Sequence, residues 1–135
     1  MSMFEILALG GIAATAAVFI HILSAQVRVG NPFLAAALSA GFLGYTLLTM
    51  SHEGADILWT NHTDTFWGVQ VWWDLLISVG LALYLIAPRA RAQGMNILPW
   101  AVFIAATASI GLLAMVARLF WLERRNEAQE PGLGQ

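Results

Sequence analysis

An all-α, four-helix transmembrane bundle is the fold class this sequence predicts, and three observations carry the prediction. Of 135 residues, 59% are hydrophobic and only 10% are charged, whereas a soluble domain carries about a quarter charged residues. The mean hydropathy of +0.73 points the same way. The apolar residues also fall into four runs, each near the ~20 residues needed to cross a bilayer. Strands are excluded, because the runs are too long and lack period-two alternation.

The first run covers about 3–25, interrupted by Glu5 near its start and His21 near its end. It lacks a basic leader and a clear cleavage site, so it reads as a retained span rather than a signal peptide. Gln26, Arg28, Gly30, Asn31 and Pro32 make a tight connection. The second run is about 33–50. A polar stretch follows at 51–65, and Thr63, Asp64 and Thr65 offer N-cap oxygens to the third run, about 66–87. Pro88 is expected to stop that run. The connection beyond it carries Arg89, Arg91, Gly94 and Asn96, and Pro99 suits the first turn of the fourth run, about 97–122. Residues 1–125 thus form one four-span domain, and 126–135, with Pro131, Gly132 and Gly134, a flexible tail. Small residues four apart, such as Ala37 with Gly41 and Ala40 with Gly44, or three apart, Gly111 with Ala114, allow close helix packing.

Composition excludes several functions. All six basic residues are Arg and the net charge is −2, so no basic footprint for nucleic acid exists. There is no Cys, which removes disulfides, thiolate metal sites and cysteine catalysis. Four spans place 51–65 and both chain ends on one side, with Arg118, Arg124 and Arg125, and leave Arg28, Arg89 and Arg91 on the other. That even count leaves orientation open. Arg28, nearest the first helix, favours both termini outside.

Chemistry concentrates at a few positions. Asp74 lies about eight residues into the third run, roughly 12 Å deep, and Arg118 about four residues before the end of the fourth, roughly 6 Å deep from the same side. An Asp74–Arg118 ion pair would offset the cost of an intramembrane carboxylate. Gln70 and Ser78 flank Asp74 at i−4 and i+4 and make a polar stripe facing protein. The 51–65 connection reads as a solvated polar loop with helix caps, in which His52, Asp56 and His62 are the candidates for metal or substrate contact, and a helical continuation of the second run would stack His52 on Asp56. No metal-ligand spacing is present, and His21 lies at the wrong end to pair with His52 or His62 across a haem. No metal or cofactor is therefore expected. Trp67, Trp100 and Trp121 fall near span ends, where indole prefers the interface. Trp72 and Trp73 lie deeper, beside Asp74.

Phe66, Trp67 and Gly68, the segment Trp72 to Ser78 with its Asp74-Leu75-Leu76-Ile77-Ser78 core, then Pro88 to Arg91 and Ile110 to Leu112, resemble a family of small bacterial integral membrane proteins of unknown function. The resemblance spans about the C-terminal half, and departs at Ala117, where that family has Pro. It implies a bacterial inner-membrane protein and supplies no catalytic residue.

The expected function is a multi-pass accessory or scaffold subunit, non-enzymatic, whose partners are the lipid bilayer and a second copy or a larger membrane complex. One alternative is a dimeric proton-coupled transporter analogous to small four-helix multidrug exporters. Those depend on a membrane-embedded Glu in the first helix, whereas Glu5 stands at the helix edge. Another is an enzyme or binder for isoprenoid, carotenoid or quinone ligands.

Overall fold

The computed structural model describes residues 2–24 and 30–129. Arg28, the rest of the 25–29 connection, the side chain of His21 and the tail from 130 onward lie outside the described residues. Every regular element among them is an α-helix: α1 (Met3–Ser24), α2 (Pro32–Glu53), α3 (Ile57–Thr63), α4 (Phe66–Ala92), α5 (Ile97–Thr107) and α6 (Ser109–Gln129). Three of these, α1, α2 and α4, are long and apolar enough to cross a membrane; α5 is apolar but short. The chain divides into two compact units, 1–30 and 31–135.

In the first unit, α1 is apolar along its length, so no amphipathic face orients it. Its first turn is closed reciprocally: the Ser2 amide donates to Glu5 Oε2 (2.6 Å), and the Glu5 amide to Ser2 Oγ (3.2 Å). This is the capping-box arrangement.

The second unit begins at Asn31, whose side chain accepts from the Phe33 and Leu34 amides, with Pro32 pre-set for the first turn. The α2 helix runs past the predicted end at 50 to Glu53, and Gly54 closes it at φ 87°, a conformation glycine alone adopts cheaply. The 51–65 stretch is not wholly a loop, since α3 forms within it. Thr65 caps α4, its Oγ1 accepting from the Gly68 amide at 2.9 Å.

Pro88 does not stop α4. The helix continues to Ala92, because its last turns are anchored on both sides of the proline. Ala87 and Ala90 are buried. Beyond them Gly94, at φ 73°, closes a Schellman motif: the Met95 amide donates to the Ala90 carbonyl (3.0 Å) and the Gly94 amide to the Arg91 carbonyl (2.9 Å). Met95 packs against the buried cluster to which Ala90 belongs, in keeping with the apolar contact typical of that cap.

The predicted fourth span is two helices. Asn96 caps α5, and α5 ends at Ala108, where the backbone takes φ 50° and ψ −115°. The chain reverses there, and α6 packs back on α5. Thr107 Oγ1 accepts from the Gly111 amide (3.0 Å) across the break. A Cβ on Gly111 would lie 2.9 Å from the Ile104 backbone nitrogen, so only glycine permits this approach.

Side-chain pairs fix the helix directions. Arg89 donates from Nε and Nη2 to the two carboxylate oxygens of Glu123, at 3.0 and 2.8 Å. Four residues on, Gln93 accepts from Asn126, three residues beyond Glu123. Both partners advance in the same sense, so α4 and α6 run parallel there. The most extensive helix interface is α2 on α6. Ser39 Oγ donates to the Ile110 carbonyl (2.9 Å) in the first turn of α6. Buried residues continue N-terminally on α2, at Ala35 and Pro32, and C-terminally on α6, at Met115 and Leu119. Those two helices are therefore antiparallel. The core is small: Ala90, Ile104, Met115 and Leu119 form its buried cluster.

This packing gives the second unit two chemically distinct ends. One gathers the start of α2, the end of α4, the 93–96 turn and the end of α6. The other gathers the end of α2, α3 and the start of α4. The expectation that the C-terminal segment shares a side with the 51–65 stretch is overturned, because the reversal at Ala108 returns α6 to the end it came from.

Candidate functional site

The three clusters expected to carry chemistry lie in different places. Gln70, Asp74 and Ser78 are all exposed on α4. The half-buried and buried positions of that helix are Gly68, Trp72, Leu75, Val79, Ala82, Leu83, Ile86, Ala87 and Ala90. At 100° per residue most of these gather on one face; Gln70 and Asp74 lie on the opposite side, and Ser78 lies at the edge between the two. The stripe exists as predicted in register, but it points away from the core of its own unit. No hydrogen bond or ion pair from the Asp74 carboxylate is present among the described residues.

Arg118 is not beside Asp74. The Arg89 guanidinium sits 5.8 Å above the Phe120 ring, which sets Arg118 level with the last turns of α4. That is about 13 residues from Asp74, or about 20 Å along the helix. The ion pair that does form among the described residues, Arg89–Glu123, links the same two helices at their far end. The expected Asp74–Arg118 pair is therefore not formed, and α4 and α6 are tied through Arg89 and Glu123 instead. The cause is the reversal at Ala108, which inverts the direction of α6.

Arg118 instead lies over the Trp121 ring at 4.7 Å, and Arg125 lies over the same ring at 5.5 Å. Trp121 remains exposed between them. Arg89, Arg91, Arg124 and Arg125 all belong to this end of the unit, with Arg118 about two turns inward. The opposite end holds His52, Glu53, Asp56, His62 and Asp64, and no Arg.

At that acidic end the helix break at Gly54 separates His52 from Asp56, so the two do not stack. Asp56 precedes α3 without a side-chain capping bond. His62 Nδ1 bonds the Leu58 carbonyl at 2.6 Å, and its ring lies 5.3 Å from that of Trp72, tilted by 58°. His62 thus joins α3 to α4 rather than reaching outward. Gly68 reinforces the junction, since a Cβ there would collide with the Asn61 carbonyl. No group of three or more His, Cys, Asp or Glu that could hold a metal is brought together among the described residues.

Between the second half of α2 and α3 lies an open cleft of about 260 Å³. Its walls include Phe42, Tyr45, Met50 and Leu58, with Glu53 and Asn61 adding a carboxylate and an amide. Phe42 and Tyr45 stack with ring centroids 6.4 Å apart. Such a cleft can take a hydrocarbon chain or a flat apolar ring. Sequence spacing gave no sign of it, because α3 was not expected.

Of the belt tryptophans, Trp67 opens α4 exposed at the acidic end, and Trp121 is exposed at the opposite end. Trp100 differs: it packs against the buried cluster and lies 6.5 Å from Phe103. Trp73 is exposed, while Trp72 meets His62.

No protein-family model matches this chain, and neither a curated protein nor a solved structure shows significant similarity to it.

Proposed function

We propose that the chain is a polytopic protein of the bacterial inner membrane that serves as a non-catalytic accessory or scaffold subunit of a larger membrane complex. The resemblance of the Asp74 helix to small bacterial membrane proteins supports the setting. The observation that carries the role is the outward stripe of Gln70, Asp74 and Ser78 on a helix apolar enough to span. A carboxylate facing lipid near the bilayer centre costs about 2.5–3.5 kcal/mol on insertion scales. A neighbouring helix offering a donor or cation removes that cost, so the stripe is best understood as a docking face.

Orientation follows from the same packing. The positive-inside rule counts Arg and Lys near span ends, and the end of α4 (Arg89, Arg91) and the end of α6 (Arg124, Arg125) hold them while the α3 end holds none. The arginine end is therefore cytoplasmic in this reading, and the α5–α6 hairpin enters from the cytoplasm and returns to it. With 11 residues, α5 reaches about 16 Å, roughly half the ~30 Å hydrocarbon core.

The test is the Asp74→Leu variant, purified in mild detergent from its native membrane. Wild type is expected to migrate as a complex larger than the single chain. The variant is expected to retain its helicity by circular dichroism and to migrate as a single chain. A variant that stays in the same complex at the same yield excludes the stripe as the docking face.

A further inference from the structure

We propose that Arg118, Trp121 and Arg125 form a binding site for the phosphate of an anionic phospholipid in the adjoining leaflet. The proposal rests on the membrane reading above and concerns a different face from the Asp74 stripe.

The three residues recur at i, i+3 and i+7, so they share one face of α6. Both guanidinium groups lie against the same indole, 4.7 and 5.5 Å from its ring. The stacking holds two flexible cations in place before any ligand arrives. Neither cation has a carboxylate within 4.0 Å among the described residues, whereas Arg89 at the same end is matched bidentately by Glu123. A paired guanidinium is neutralised in place; these two retain unused donors.

The location selects the ligand. Trp121 lies where the apolar part of α6 gives way to Glu123, Arg124 and Arg125, the depth at which indole prefers to sit. Arg118 is about one turn further in and Arg125 about one turn further out, roughly 10 Å apart along the axis. A phosphate at headgroup level meets the outer cation, and the stem of Arg118 lets its head reach the same level by snorkelling. Phosphate accepts paired N–H bonds from guanidinium. A zwitterionic headgroup carries its own ammonium and competes with the arginines for that phosphate, so an anionic lipid is favoured. Basic groups between or beside span ends are the common chemistry of such recognition.

The experiment uses the full chain purified in a nonionic detergent and titrated with phosphatidylglycerol or phosphatidylcholine of equal acyl composition. Bound lipid is counted by native mass spectrometry. Phosphatidylglycerol is expected to be retained about 25-fold better, given roughly fivefold for each of the two Arg near a surface. The R118Q/R125Q variant is expected to lose that preference, and R124Q to keep it. If the double variant does not fold, R125Q alone reads the same contact with a loss of about fivefold. Equal retention of both lipids by wild type, or an unchanged preference in the folded double variant, overturns the proposal. So does displacement of bound phosphatidylglycerol by millimolar inorganic phosphate, which would make this a free-anion site. A chain that purifies without detergent would instead overturn the membrane reading itself.

Discussion

Ala108 is the residue on which the arrangement turns. Its φ of 50° and ψ of −115° belong to the region glycine populates freely and other L-residues enter at a cost of about 1–3 kcal/mol. Burial of Ile104, Ile110 and Met115 around it offsets that strain. Ala108→Gly is therefore expected to stabilise the protein by about 1 kcal/mol in detergent denaturation. The sign is diagnostic. Were 97–122 one straight helix, the same change would cost about 1 kcal/mol. The sequence hides this residue, since Ala is the best helix former and nothing in its neighbourhood marks a turn except the hydroxyls of Thr107 and Ser109. Asp74, by contrast, stands out in the sequence by its depth in an apolar run, and the structure does not bring Arg118 to it.

Among elements, α5 and α6 show what periodicity can and cannot reveal. Their combined apolar length satisfies the requirement for one span, so hydropathy reads them as one. Gly111 is the detail that separates the readings. Its spacing from Ala114 pointed to a close contact, and the contact is with α5, the preceding part of the same run. Gly111→Ala is expected to destabilise by about 1–3 kcal/mol, because the added methyl must push against the Ile104 backbone. Gly41→Ala provides the contrast. A Cβ there meets open space, so only helix propensity changes, and the expected effect is neutral to slightly stabilising. Thermal unfolding of the two variants side by side checks both. Helix α4 teaches a related lesson: Pro88 has the chemistry of a helix stop, yet the burial of Ala90 and the cap at Gly94 carry the helix one turn past it. Tertiary anchoring outweighs a local cost of about 3 kcal/mol.

For the whole molecule, composition was the most legible feature. The all-helical class, the runs behind α1, α2 and α4, and the cap at Thr65 follow from turn chemistry and apolar length. The apolar surface fits a lipid environment: Phe66 is 98% exposed and Tyr84 76%, on a unit whose buried cluster is four side chains. What could not be read was helix direction after Ala108, and with it the partner of every charge on α6. Counting arginines by four through-spans gave an even division; following the hairpin moves the α6 arginines to the end already occupied by Arg89 and Arg91. Because the chain has no native Cys, single cysteines can report this directly. Thr60→Cys in α3 and Ala128→Cys near the end of α6 are both exposed positions. With a membrane-impermeant maleimide on intact cells, T60C is expected to label and A128C to label only after permeabilisation. The reverse pattern would keep the hairpin and invert the orientation. Labelling of both cysteines from the same side would mean that α5 and α6 cross as one span, and the hairpin would be wrong.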